Sequence, residues 1–198
     1  DLFALMSNHQ YGVTCDDAYE ITAATIRGRR EVHTQVEALR KLGGIWSQMR
    51  VVSTGAQIGV REGRRIHGRY EVTGQDLLEG ARFEDAVCRV TMGIDVHSTD
   101  PSKTKIVEAK PHRSRPYDIP LRALIAKDVD GLLMAGRCIS GDFIAHSSYR
   151  VTGNAVAMGQ AAGICAARAV LSDLPPHEVA WGDVKTPLDT LNQFEVTV

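Results

Sequence analysis

The sequence lacks the residue patterns by which several classes of protein are recognised. Its four cysteines are widely spaced with no C-x-x-C pair, and its seven histidines form no H-E-x-x-H motif. Neither a zinc site nor a redox-active disulfide is therefore expected. The 23 basic and 24 acidic side chains give a net charge of −1. Because a nucleic-acid partner usually requires a basic excess, none is expected.

No signal peptide is visible at the start of the chain, which begins with Asp1 rather than methionine. A chain that begins in this way is predicted to be a piece of a longer protein. The four scattered thiols favour a reducing compartment and hence a cytoplasmic location, with two disulfides as the alternative. The apolar run at residues 155–171 is short for a membrane span and rich in small residues, so no membrane partner is expected.

Composition indicates an ordinary globular protein. Hydrophobic residues make up 43% and charged residues 24% of the 198 residues. These values exclude a disordered tail, a collagen-like repeat and a small disulfide scaffold. The length suits one domain or one and a fraction.

The first part of the chain is predicted to be helical. Thr14 and Asp17 have the spacing of a capping box at the start of a helix. Gly28 is expected to kink or split this helix, and the glycine pair after Leu42 is a natural stop.

The middle of the chain is predicted to form strands and turns. Short extended stretches are expected at residues 51–52 and 58–60, and residues 61–70 hold four arginines. That segment is either a solvated hairpin or a surface that recognises carboxylate or phosphate. A longer strand is expected at residues 86–92, and a polar loop at residues 98–105.

Two further local signals lie in this middle region. Thr73 with Asp76 forms a second capping-box pattern, which opens a short helix that ends at Gly80. The prolines at positions 111, 116 and 120 predict an extended stretch there.

The last third predicts a strand, a loop and a long helix. Residues 132–135 are apolar, as in a buried strand of a parallel sheet, and residues 137–150 are expected to form a loop. Residues 155–171 predict a nearly buried helix in which Gly159 and Gly163 allow close packing. The unpaired amides at its start could hold a cofactor, whereas the alternative is a plain turn followed by a packing helix. A short helix is also expected at about residues 188–192.

Here the sequence resembles a known family. Residues 130–140 (DGLLMAGRCIS) resemble the late FAD-binding motif of FAD-dependent oxidoreductases. Residues 150–163 (RVTGNAVAMGQAAG) resemble the flavin-contacting helix of the same family, and residues 58–70 and 117–122 are similar to signatures of a bacterial branch. The resemblance covers about residues 22–171.

The resemblance implies a glutathione-reductase-like fold with FAD as cofactor. The fold class is α/β (mixed α+β), with a partial FAD/NAD(P)-binding Rossmann-like domain and a β-sheet substrate domain. Gly136 and Arg137 would lie by the ribityl and pyrophosphate part of FAD, and Gly153, Asn154 and Ala155 by the pyrimidine edge. A helix N-terminus there would stabilise negative charge on the reduced flavin.

The chain departs from the family pattern at two points. It has Gly136-Arg137 where many relatives carry Gly-Asp. Either Asp142 substitutes for that ribityl-binding aspartate, or Arg137 pairs with phosphate. The family's N-terminal G-x-G-x-x-G fingerprint is absent from this sequence. The chain therefore resembles the C-terminal part of a flavoenzyme that holds half of the FAD site, and the isolated chain is expected to be inactive.

His146 and Arg150, which precede the flavin helix, are candidate catalytic residues. His146 could exchange a proton near neutral pH, and Arg150 could clamp a carboxylate or touch the flavin. The alternatives are a surface loop position for His146 and a structural ion pair for Arg150. Arg61 and Arg65 are candidate substrate-binding residues of the family signature.

The predicted organisation has four parts. They are a helical segment at residues 1–47, a β-rich substrate domain at residues 48–120, the FAD-domain return (strand, loop and flavin helix) at residues 121–172, and a tail at residues 173–198.

The function implied by the resemblance is hydride transfer between a small organic substrate and flavin. Expected partners are that small-molecule substrate and either the missing N-terminal FAD-binding half or a partner chain. The alternatives are a truncated, non-catalytic module that self-associates as a homo-oligomer, and one chain of a two-chain flavoenzyme.

Overall fold

The structure is a computed structural model of the chain, in which residues 2, 4, 8–96 and 114–191 are described. The loop predicted at residues 98–105 lies outside these residues, as does the end of the helix predicted at residues 188–192. After Gly63 the chain divides into two compact units, each of which is described by itself.

The first unit is built on one long helix, α1 (Ala18–Lys41). Asp17 caps it by accepting hydrogen bonds from two backbone amides of the first turn. The predicted capping role of Thr14 is wrong, because its backbone amide donates to the carboxylate of Glu20 instead. The helix runs through Gly28 without interruption, so the split predicted there is wrong. It ends before the glycine pair, as predicted.

The short strands predicted at residues 51–52 and 58–60 are not formed. Side chains of α1 bind the backbone of this segment in place of a neighbouring strand. The Arg29 guanidinium donates to the carbonyls of Gly55 and Ala56, and the amide of Ile58 donates to the Thr25 hydroxyl. These contacts satisfy part of the backbone without a sheet.

The second unit contains a two-stranded antiparallel sheet. Strand β1 (Ala86–Val90) pairs with β2 (Tyr117–Pro120), and both fall where extended chain was predicted. The buried Asp118 of β2 accepts hydrogen bonds from Arg82 and Arg89, which compensates its charge.

Two short helices lie beside each other in the second unit. The first, α2 (Gly74–Glu79), starts at the predicted capping box of Thr73 and Asp76 and ends at Gly80, whose φ is 69°. The second, α3 (Phe143–Tyr149), occupies half of the segment that was predicted as a loop at residues 137–150. That prediction is wrong because the Asp142 side chain caps this segment and allows it to begin a helix.

The parallel strand predicted at residues 132–135 is also wrong. Leu133 forms a single antiparallel bridge with Ile125. Gly131 and Gly136 flank this stretch with positive φ values of 74° and 69°, so the extended backbone ends on both sides.

Residues 61–70 form no hairpin. The Ile66 amide donates to the Cys138 carbonyl, and Gly68 makes an antiparallel bridge to Ala126. This segment therefore pairs with distant chain rather than with itself.

Two longer helices complete the second unit. Helix α4 (Thr152–Ser172) packs against β1 and against α5 (Trp181–Leu191), which starts earlier than the predicted short helix. The buried residues of α4 follow helical spacing and are Met158, Ala161, Cys165 and Ala169. Of these, Met158, Ala161 and Cys165 join a core that also contains Val90, Ile119 and Tyr149.

Helix α4 is less buried than its sequence predicts. Val170 is 81% and Leu171 78% exposed. A Cβ added at Gly159 or Gly163 would meet no described atom within 4 Å beyond the helix itself. The predicted close packing at these glycines is therefore wrong for this chain.

By length and composition alone, α4 could cross a membrane; no other helix among the described residues meets that test. Its row of buried residues, however, packs on the core of the second unit. A core helix with one exposed face accounts for both observations.

Candidate functional site

Four of the six predicted cofactor residues, Gly136 and residues 153–155, lie at or against the start of α4. Val151 precedes the helix, and no side chain among the described residues caps its first turn. Thr152 and Gly153 are exposed there, and the open amides carry partial positive charge. Asn154 turns back, with its side-chain amide donating to the carbonyl of Tyr149 at 3.3 Å.

Gly136 lies against this first turn. A Cβ added to Gly136 would come within 3.2 Å of the Ala155 Cβ, and the φ of 69° also favours glycine. Two predicted cofactor residues, Gly136 and Ala155, are thus in close approach. Arg137 follows in the same short turn, where it is exposed.

Asp142 holds two helix starts together. One carboxylate oxygen accepts from the Ala145 amide in α3, and the other accepts from the Gly74 amide in α2, both at 2.7 Å. This double cap uses both oxygens of the side chain. A contact of Asp142 with a ribityl hydroxyl stays a prediction.

His146 is fully buried within α3. Its ring meets the Tyr149 ring edge to face at a centroid distance of 5.5 Å. The predicted loop position is therefore wrong, and so is the alternative of a surface residue. Helix α3 turns this side chain into the core. Its role as a catalytic acid or base stays a prediction.

Arg150 lies between α3 and α4 and is held by Asp95. One guanidinium nitrogen donates to the Asp95 carbonyl at 2.6 Å and to its carboxylate at 3.3 Å. The Arg150 side chain is only 7% exposed. The structural ion pair that was the alternative for Arg150 is present, and its catalytic role stays a prediction.

A buried hydroxyl network lies beside this ion pair. The Tyr117 hydroxyl donates to the Ser148 hydroxyl at 3.0 Å, which in turn donates to the Met92 carbonyl at 2.6 Å. Burial raises the pKa of the Tyr117 phenol, so it remains a donor at neutral pH.

No sequence pattern pointed to Ser148 or Asp95. Their partners lie tens of residues away in the chain, where local spacing carries no information. Gly141 was also missed: an added Cβ would lie 2.7 Å from the Tyr149 ring. The only sequence signal for it is a glycine directly before a capping aspartate.

The two predicted substrate arginines lie in different units. Arg61 belongs to the first unit and Arg65 to the second. The charge of Arg65 acts on Tyr149, where burial raises the pKa of the phenol and the guanidinium partly opposes that rise. Binding of a substrate by either arginine stays a prediction.

Two general features limit the chemistry of the site. All four cysteines carry free thiols. Within the described ranges, no group of three or more histidine, cysteine, aspartate or glutamate residues could hold a metal ion.

Comparison with known proteins gives one match. A family model described as FAD dependent oxidoreductase matches residues 2–188. No curated protein and no solved structure matches the chain.

Proposed function

The chain belongs to the family of FAD-dependent oxidoreductases, whose cofactor is FAD, and from this premise we propose that it is the C-terminal part of such an enzyme. The enzyme transfers hydride between a small organic substrate and the flavin. This proposal includes a partial Rossmann-like domain and a β-sheet substrate domain. The absent G-x-G-x-x-G fingerprint supports a second portion of the FAD site outside this sequence.

The start of α4 carries this proposal. No side chain among the described residues caps its first-turn amides, its second residue is a glycine, and Gly136 approaches it closely. Exposed amides and partial positive charge suit the oxygen- and nitrogen-rich edge of an isoalloxazine ring. The residues present therefore fit the cofactor, with Gly153, Asn154 and Ala155 at the pyrimidine edge and Gly136 and Arg137 toward the ribityl and pyrophosphate part.

FAD supplies the two-electron chemistry when it is bound. The contribution of this chain is to bind and orient. Glycine at position 153 lets the backbone approach a planar ring, and the amides of the first turn favour added negative charge nearby. Arg150 adds a fixed cation directly before the helix. Arg61 and Arg65 belong to different units, and each is proposed separately as a substrate-binding residue for an anionic group.

We further propose that the protein acts in the cytoplasm and pairs with an N-terminal FAD-binding half, either upstream in the same chain or on a partner chain. The four free thiols support a reducing compartment. The gene sequence upstream of Asp1 separates the two arrangements. A strand followed by G-x-G-x-x-G supports one chain, and a start codon supports two.

The visible absorption spectrum of the purified chain tests the proposal. The protein is incubated with FAD, desalted and checked by intact mass. Flavin bands at about 370 and 450 nm that survive desalting support cofactor binding by this chain. A colourless protein of the correct mass overturns cofactor binding by this chain alone.

One observation favours a second candidate, a non-catalytic module that self-associates. The outer side of α4 carries exposed Val156, Val170 and Leu171 together with Gly159 and Gly163. An exposed apolar face of this kind promotes association. Sedimentation of the wild-type chain and of Val170→Glu tests it: a dimer that the substitution dissociates, without bound flavin, supports this candidate.

A further inference from the structure

The ion pair between Asp95 and Arg150 is asymmetric. Arg150 is almost completely buried, at 7% exposure, whereas the Asp95 side chain is 42% exposed. A buried guanidinium requires a compensating charge and hydrogen bonds, since an uncompensated buried cation is strongly unfavourable. Asp95 supplies both, through its carbonyl at 2.6 Å and its carboxylate at 3.3 Å.

The segment that carries Asp95 is itself fixed to α3. Ser148 donates to the carbonyl of Met92, three residues before Asp95, and Tyr117 of β2 donates to Ser148. The segment is therefore attached at two points, once through Ser148 and once through Arg150. These contacts fix the backbone that presents the Asp95 carboxylate.

The position of the pair gives it an electrostatic effect on α4. Arg150 is followed by Val151, which precedes the uncapped first turn of the helix. The guanidinium charge adds to the partial positive charge of that helix start, and the Asp95 carboxylate reduces it. The net field at the first turn depends on both residues.

We propose that Asp95 is the positioning residue of Arg150: it orients the guanidinium before α4 and sets how much positive charge the helix start presents to the flavin. The relevance to flavin rests on the proposed function. Asp95 acts through Arg150 and touches no reacting atom in this account.

The test compares Asp95→Asn with wild type, since asparagine retains the backbone carbonyl and the side-chain size while removing the charge. Asp189→Asn is the matched control, because Asp189 forms an exposed ion pair with Lys185 on α5. Circular dichroism checks that each variant is folded. Both variants are also made in an Arg150→Met background.

Two quantities are measured. In the flavin-free chain, NMR gives the solvent exchange rate of the Arg150 Nη2–H protons, which donate to Asp95. We expect Asp95→Asn to raise this rate about tenfold, because hydrogen bonds to charged groups are among the stronger ones. In the FAD-loaded chain, the reduction potential of the flavin is expected to rise in Asp95→Asn, since the substitution removes a negative charge beside the guanidinium.

The Arg150→Met background shows whether Asp95 acts through Arg150. There, Asp95→Asn should leave the reduction potential where Arg150→Met alone places it. An equal shift in both backgrounds overturns the proposal, as does an unchanged exchange rate in the folded Asp95→Asn variant. A wild-type chain that retains no FAD overturns flavin binding by this chain alone, and the exchange rate alone then decides whether Asp95 positions Arg150.

Discussion

Single polar side chains determine the geometry of the candidate site. Asp142 joins the starts of α2 and α3, Ser148 joins β2 to the segment after β1, and Arg150 fixes Asp95. Each of these side chains bonds to backbone groups of a different segment. Replacing one should therefore loosen two elements at once, which distinguishes these residues from ordinary surface polar groups.

Replacing Asp142 by alanine removes the cap of α3 and the acceptor for the Gly74 amide. We expect the free energy of unfolding to fall by about 2 kcal/mol, since the cap of α3 and the hydrogen bond from the Gly74 amide each contribute about 1 kcal/mol. Asp142→Asn retains one acceptor oxygen and should lose less. Urea denaturation measures both, and an alanine variant as stable as wild type would contradict the double cap.

Replacing Ser148 by alanine leaves the buried Tyr117 hydroxyl and the Met92 carbonyl without this partner. The expected loss is about 1–3 kcal/mol, the usual cost of a buried unsatisfied polar group. Ser172→Ala, at the exposed end of α4, is the control and should change stability by less than about 0.5 kcal/mol. Equal effects from the two substitutions would argue against the network.

At the scale of elements, the close approach of Gly136 to α4 links the turn to the helix start. Gly136→Ala must place a Cβ 3.2 Å from the Ala155 Cβ in a backbone with φ of 69°. We expect a loss of about 1–2 kcal/mol from the backbone conformation alone. Gly159→Ala, within α4 and without neighbours around an added Cβ, should instead stabilise by about 0.5–1 kcal/mol. Thermal unfolding of the two variants should shift in opposite directions.

The elements that sequence predicts well are those with local signals. The capping box at Thr73, the end of α1 before the glycine pair and the two strands are confirmed, because each depends on neighbouring residues. The loop predicted before α4 is wrong, since a short helix depends there on one aspartate that also binds a distant amide. The strand at residues 132–135 is wrong because an apolar run does not specify its pairing partner.

The candidate site shows the same limit. The sequence names the glycines and the helix start, and the structure brings Gly136 and Ala155 together. The sequence could not reveal that α3 buries His146, nor that Asp95 holds Arg150. Those facts depend on tertiary contacts between segments far apart in the chain.

At the scale of the whole molecule, the buried titratable groups predict a loss of stability at alkaline pH. Burial, with a smaller contribution from Asp118, raises the pKa of the Cys88 thiol to about 12. Burial and the hydrogen bond to Asp76 raise the pKa of Tyr70 to about 12. The unfolded chain releases these protons at lower pH than the folded chain does. Alkaline conditions therefore favour unfolding.

We expect the free energy of unfolding to fall as the pH rises from about 9 toward 12, with the contribution of these groups fully present below that range. Burial also raises the pKa of the Cys165 thiol, so the comparison is made in a Cys165→Ala background. There, Cys88→Ala removes the remaining raised thiol, so the fall should begin about one pH unit higher, where unfolded tyrosine titrates. Urea denaturation between pH 8 and 11 measures this. A fall that begins at the same pH in both proteins would contradict the assignment to Cys88.

The central claim is that the start of α4 holds the flavin, and the FAD dissociation constants of two matched variants test it most directly. Gly153 and Gly182 are each the second residue of a helix, and a Cβ added to either would meet no described atom within 4 Å. Alanine at either position should therefore leave the fold intact. The account predicts that Gly153→Ala weakens FAD binding about tenfold because its methyl group displaces the ring, whereas Gly182→Ala binds like wild type. Equal FAD affinity of Gly153→Ala and wild type would contradict the claim.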